Sequence, residues 1–267
     1  MPHIDSNGQR LFYIDTGGDG PPLLFSHGLH MDHRMFEPQI EALRKDYRCI
    51  AWDERGHGAT VTDEAPFSYY DSADDAVGLL DALGIERAVW IGMSQGGYLS
   101  LRAALTHPAR VAALALIDSQ ARPEPAERIE THRRAAALWA EHGLTPEMAD
   151  NIAARILGDD SAHAEQWKSR WAASSAANVA RIYATLDTRD DISDRLGEID
   201  VPALVIHGEA DRAIDMTLAE EMAARLPRAE LVRIPGAGHA ANLTHPAAVN
   251  PPLTAFLARV AGRSRGA

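Results

Sequence analysis

Short, unbroken apolar runs recur along the first half of the chain, separated by stretches of helical periodicity. The runs are PLLFSHG, YRCIAWD, RAVWIGM and VAALALID. A strand that is apolar at every position is buried on both faces, and the helices between such strands supply the cover. The pattern calls for a mostly parallel sheet with helices on both sides. QRLFYIDTG adds an earlier strand that closes in the turn GGDGPP. HRMFEPQIEALRKD carries Met35, Phe36, Ile40 and Leu43 at helical spacing, with Pro38 near its start. YDSADDAVGLLDALG is helical and ends at Gly84, the expected C-cap. GGYLSLRAALTHP is a helix stopped by Pro108.

The rhythm breaks after Asp118. PAERIETHRRAAALWAEHG, TPEMADNIAARILG, SAHAEQWKSRWAASS and NVARIYATLD read as four successive helices with no strand among them. VPALVIHG then restores a strand, MTLAEEMAARLP a helix, AELVRIPG a strand, and HPAAVNPPLTAFLARVAG a last helix. Asn250-Pro251-Pro252 is expected to delay or kink that helix. The tail GRSRGA is expected to fray. The reading is one sheet-based domain, residues 1–120 and 198–267, interrupted by a helical cap over 121–197.

One strand-to-helix junction reads Gly92-Met93-Ser94-Gln95-Gly96. G-x-S-x-G in that setting describes a sharp turn that lifts a serine hydroxyl above the carboxyl edge of the sheet. A serine needs a base, and the base needs an acid to orient it. Asp211 follows the strand VPALVIHG and His239 follows AELVRIPG, so acid and base arrive in the expected order at the same edge. Asp118 ends an earlier strand and is a rival acid; Asp215 lies further along the acid loop. His245 reads as a helix-start residue before Pro246. Acyl transfer also needs two main-chain N–H donors for the developing oxyanion. Gln95, after the serine, is one; Leu29, in His27-Gly28-Leu29-His30, is the other. His27, His30 and His33 share one loop without carboxylate or cysteine support from a second element, so no metal is expected. His27 is read as structural and His30 as a pocket residue.

The bulk numbers exclude several classes. A formal charge of −12 argues against nucleic acid and an anionic membrane surface. No apolar run reaches the roughly 18 residues of a membrane span, and MPHIDSNGQR does not read as a secretory leader. The single cysteine, Cys49, sits in an apolar strand and reads as a small buried hydrophobe. A reduced, cytoplasmic setting is expected.

HGLH, DERGHGAT, GMSQGG, GEADRAI and GAGHAANLTHP resemble, in order and spacing, the successive landmarks of the α/β-hydrolase superfamily. The resemblance implies an α/β-hydrolase fold, with a mostly parallel central sheet, helices on both faces and a helical cap inserted after the sixth strand. It implies Ser94 as nucleophile, Asp211 as acid, His239 as base, Leu29 and Gln95 as oxyanion donors, and no cofactor. Asp53, Arg55, Gly56 and Gly58 match a D-x-R-G-x-G loop that is structural in the family. Asp215 stands where a proline is usual. The compact cap is similar to the branch of 3-oxoadipate enol-lactonases, small carboxylesterases and cofactor-free perhydrolases.

The expected function is serine hydrolysis of a small carboxylic ester or lactone through an acyl-enzyme. C–C bond hydrolysis of a ring-cleavage product, perhydrolysis, and a non-catalytic receptor on the same fold are the alternatives. His30, Met93, Trp139, Trp167, Trp171 and Tyr183 are the expected pocket residues. The cap has many arginines but no evident arginine pair positioned for a dicarboxylate, so a neutral, hydrophobic ester or lactone is expected over a small diacid. A homodimer through the cap is one arrangement left open.

Overall fold

The computed structural model describes residues 2–159 and 161–264. The apolar runs form the strands of one sheet: β1 (His3–Ser6), β2 (Gln9–Asp15), β3 (Pro22–Ser26), β4 (Arg48–Trp52), β5 (Ala88–Met93), β6 (Val111–Ile117), β7 (Ala203–Gly208) and β8 (Ala229–Ile234). Their order is β1-β2-β4-β3-β5-β6-β7-β8. Strands β3 to β8 pair in parallel, and β1 and β2 extend the sheet antiparallel beyond β4. Every residue of β5 and β7 is buried, as continuous apolar strands require.

β1 is an element the sequence reading omits. It pairs with β2 across Asn7-Gly8, both at positive φ (48° and 77°), the residue pair that two-residue hairpins favour.

The helices are α1 (Glu37–Leu43), α2 (Tyr69–Ala82), α3 (Gln95–Thr106), α4 (Ala126–His142), α5 (Pro146–Ile156), α6 (Ala164–Ala172), α7 (Ala176–Leu186), α8 (Met216–Arg225), α9 (Ala241–Thr244) and α10 (Pro246–Ser264). A 3-10 turn, His33–Phe36, leads into α1 and leaves Pro38 in the first helical turn, where a missing N–H goes unneeded. Helices α4 to α7 fall between β6 and β7. Asp215 accepts the Thr217 N–H at 2.9 Å and so caps α8, a use for an acid where proline is usual.

Pro251 and Pro252 do not delay the last helix. α10 starts at Pro246 and runs through both. Two lost ladder bonds are costly, but Val249, Leu253, Phe256 and Leu257 are all buried at helical spacing, and Asn250 is bonded to Gln39 and to the Pro38 carbonyl. Tertiary burial outweighs the local penalty. The last three residues of the tail lie outside the described residues. Cys49 is buried, and desolvation pushes its thiol up to about 12.

Strand β3 has β4 on one side and β5 on the other, so the order of crossovers reverses there. In open parallel sheets a crevice opens at the carboxyl ends of such a strand pair. The loops leaving β3 and β5 carry Gly28-Leu29-His30 and Ser94.

Candidate active site

Ser94 sits at φ 51°, ψ −112°, between the end of β5 and the start of α3. That conformation is strained for a residue with a Cβ, at an order of 1–3 kcal/mol. The surroundings hold it there. The Ser94 N–H donates to the Ile117 carbonyl at 2.8 Å, and the Ser94 carbonyl accepts from Tyr98 N–H and from Ser119 Oγ. The flanking glycines make the turn sterically feasible. A Cβ on Gly92 would lie 2.2 Å from the Gly96 carbonyl oxygen, and one on Gly96 would lie 1.9 Å from that of Ser26. Backbone cannot yield at such distances, so only glycine fits.

The three residues expected from order along the chain meet at one point. Ser94 Oγ lies 3.0 Å from His239 Nε2, and His239 Nδ1 lies 2.8 Å from Asp211 Oδ2. The carboxylate can only accept from the ring, so Nδ1 carries the proton and Nε2 is free to accept from the serine. The other Asp211 oxygen accepts the N–H groups of Ala213 and Ile214 at 2.7 and 3.0 Å. Burial alone would raise the Asp211 pKa. The His239 ring, by charge and hydrogen bond, together with the Ile214 N–H, holds it below its ordinary value.

The rival acid has other work. Asp118, fully buried at φ 47°, accepts the Gly208 N–H at 2.8 Å and the Ala241 N–H at 2.9 Å. It ties the end of the acid strand to the loop after the base. Burial and the nearby Asp211 charge raise its pKa well above normal, so Asp211 is the one of the pair that keeps its charge.

The three loop histidines part company. His27 Nε2 accepts the Glu54 N–H and its Nδ1 donates to the Gly28 carbonyl, which fixes a neutral, structural ring. His33 bonds to Asp53, whose carboxylate also takes the Ala59 N–H. That pins the D-x-R-G-x-G loop, where Arg55 pairs with Asp75. His30, at φ 63°, turns toward the helical insertion. Its Nε2 meets the Tyr183 hydroxyl at 2.8 Å, and its ring stacks on Trp139 at 5.7 Å. Burial, with the His132 ring beside it, pulls its pKa down to about 3. Among the described residues the main-chain N–H groups of Leu29 and Gln95 find no acceptor. The Gln95 side chain is held by Glu54 and Tyr69.

A cavity of about 190 Å³ opens beside Ser94 and His239. That is small against the roughly 300–1,000 Å³ of drug-sized ligand sites. His30, Met93 and Tyr183 line it as expected. Trp139, Trp167 and Trp171 do not. All three are fully buried in packing: Trp139 stacks behind His30, Trp171 donates to the His30 carbonyl at 2.7 Å, and Trp167 lies under Arg170. The insertion instead contributes Ile152 and Ile156, with Glu124, His132, Arg155 and Arg189. The expectation of no arginine pair is corrected here: two arginines line the cavity. Arg155 was legible in part, since it falls on the α5 face of Ile152 and Ile156 and interrupts an apolar stripe. Ala240, next to His239, donates its N–H to the Ile156 carbonyl at 2.9 Å, joining the base loop to the end of α5.

Residues 21–246 match the model of the alpha/beta hydrolase fold family. The chain belongs to that family. It is 31% identical over 250 residues to the putative carbamate hydrolase RutD of Caulobacter segnis, covering 88% of this chain and 90% of that one. Two solved structures are closely similar. One is a thermophilic esterase from Thermogutta terrifontis, at TM-score 0.89 and 29% identity over 97% of this chain and 98% of that one. The other is the enol-lactonase from Burkholderia xenovorans LB400, at TM-score 0.87 and 27% identity over 96% and 100%. The fold and the broad class, a hydrolase, agree with the sequence reading. No helix among the described residues is long and apolar enough to cross a membrane.

Proposed function

We propose that this hydrolase cleaves a small carboxylic ester or lactone through a Ser94 acyl-enzyme. The observation that carries the reading is the relay from Ser94 Oγ through His239 to Asp211, 3.0 and 2.8 Å long, at the wall of a cavity. Ser94 Oγ attacks the substrate carbonyl carbon while its proton passes to His239 Nε2. The carbonyl π pair moves onto oxygen, which the Leu29 and Gln95 N–H groups receive. Collapse breaks the ester C–O bond, and the leaving alkoxide takes the proton from Nε2. In a lactone the leaving oxygen stays tethered to the acyl chain. Water then attacks the acyl-enzyme, gives a proton to Nε2, and releases the carboxylic acid as that proton returns to Oγ. Asp211 stabilises the imidazolium at each stage. Helices α4 to α7 act as the cap that closes the cavity against bulk water. The lone, buried Cys49 suits a reducing cytoplasm.

The esterase and enol-lactonase likenesses support an ester or lactone. The relative named as a putative carbamate hydrolase favours a second reading, in which the same relay cleaves a carbamate. A panel of aryl esters, alkyl esters, lactones of rising ring size and carbamates separates the two, with Ser94→Ala as the blank. Loss of kcat on the order of 10⁶-fold in Ser94→Ala is expected. Turnover within a few fold of wild type would overturn the mechanism, and a carbamate preferred over every ester and lactone would move the substrate assignment.

A further inference from the structure

The charges around the cavity do not cancel. Asp211 is hydrogen-bonded to the His239 ring. Glu124 is shared by Arg189 Nη1 at 3.4 Å and, more loosely, Arg128 at 3.8 Å. Arg189 also donates to the Tyr69 hydroxyl and lies over the Tyr69 and Tyr98 rings. Arg128 donates to the Ala213 carbonyl. Arg155 is left over. It lines the cavity from α5, and among the described residues it has no hydrogen bond, ion pair or ring contact. An arginine carries five N–H donors and stays charged at any ordinary pH. Burial lowers its proton affinity first of all, the Arg128 charge lowers it further, and the Glu124 and Asp211 charges offset this only in part. An unmatched guanidinium in a cavity walled by Ile152, Ile156 and Met31 is costly unless an anion meets it there.

We propose that Arg155 binds a carboxylate carried by the substrate, so that the enzyme acts on small esters or lactones of which one end is anionic. This rests on the hydrolase reading above. The guanidinium fork matches a carboxylate through two parallel N–H bonds, and the apolar walls between Arg155 and Ser94 take the short hydrocarbon that joins the charged end to the reacting carbonyl.

The test compares matched substrates in the full-length enzyme. 4-Nitrophenyl hydrogen glutarate and its uncharged isostere, 4-nitrophenyl 5-methylhexanoate, put the charge on the acyl side. 3-Carboxyphenyl butanoate and phenyl butanoate put it on the alcohol side. Each rate is corrected with Ser94→Ala. In at least one pair the wild type prefers the anionic member in kcat/KM. Arg155→Gln cuts that preference by about 10- to 100-fold, and Arg155→Lys keeps part of it. A preference for the neutral member in both pairs, or a ratio that Arg155→Gln leaves unchanged, overturns the proposal while the hydrolase reading stands. If none of these esters is turned over, the ester reading fails on its own. Glutarate binding, read by thermal shift, then decides the proposal: a stabilisation lost in Arg155→Gln supports it, and its absence in the wild type overturns it.

Discussion

On the sheet side of the cavity, Ser94, His239 and Asp211 stand in an unbroken chain of hydrogen bonds, braced from behind by Asp118. On the insertion side, Arg155 lines the same space and among the described residues has no hydrogen bond, ion pair or ring contact. The difference follows from what each side has to do. Groups that move protons must be in place before substrate arrives, because reorganisation at the moment of reaction raises the barrier. Groups that recognise substrate keep their donors and acceptors free, and their desolvation is offset only on binding. The sheet side is therefore expected to be brittle to small changes. The insertion side is expected to change preference more than rate.

The severest break of that contrast is Asp211→Asn. The amide keeps the shape but donates where the carboxylate accepted, so it favours the wrong tautomer of His239. A fall in kcat of about 10⁴-fold is expected. Rates within tenfold of wild type would show that Asp118 substitutes as the acid. Gly96→Ala comes next. Its Cβ meets the Ser26 carbonyl oxygen at 1.9 Å, and urea midpoints should report a loss of about 1–3 kcal/mol. An unchanged midpoint would mean that the turn is less tightly packed than described.

The insertion side should respond more gently. Tyr183→Phe removes the 2.8 Å bond to His30 and is expected to cost about 0.5–1.5 kcal/mol in stability, with kcat changed less than KM. A drop in kcat as deep as that of Asp211→Asn would erase the contrast. A pH slope tests the same ring. The unfolded chain takes a proton on His30 below about pH 6.5, whereas the folded chain holds the ring neutral down to about 3. Stability from this group is present above pH 6.5 and falls as pH drops through that window. The stability difference between wild type and His30→Asn should shrink from pH 7 to pH 5. A constant difference would place the ring in water.

Why the sequence was more legible on one side is physical. Ser94, Asp211 and His239 each lie just past a parallel strand, and the carboxyl ends of parallel strands share one edge by construction. Local pattern therefore places all three in space. Spacing within α5 puts Arg155 on the face of Ile152 and Ile156, but that this face meets the cavity depends on how α5 docks, which no spacing encodes. The three tryptophans illustrate the same limit: helical periodicity marks Trp167 and Trp171 as inward, but inward means buried in packing, Trp171 against the His30 loop, rather than facing Ser94. Asn7-Gly8 carries a legible hairpin signal. Pro251 and Pro252 were read by their local cost, and burial of Val249 and Leu253 decided otherwise.

The bond from Ala240 N–H to the Ile156 carbonyl gives the two sides a common mechanical joint. One partner follows the general base, and the other follows the arginine that awaits an anion. A swing of α5 away from the sheet either ruptures this joint or drags the imidazole off its line to the serine. A ligand that draws Arg155 inward therefore also pulls on the loop that holds His239.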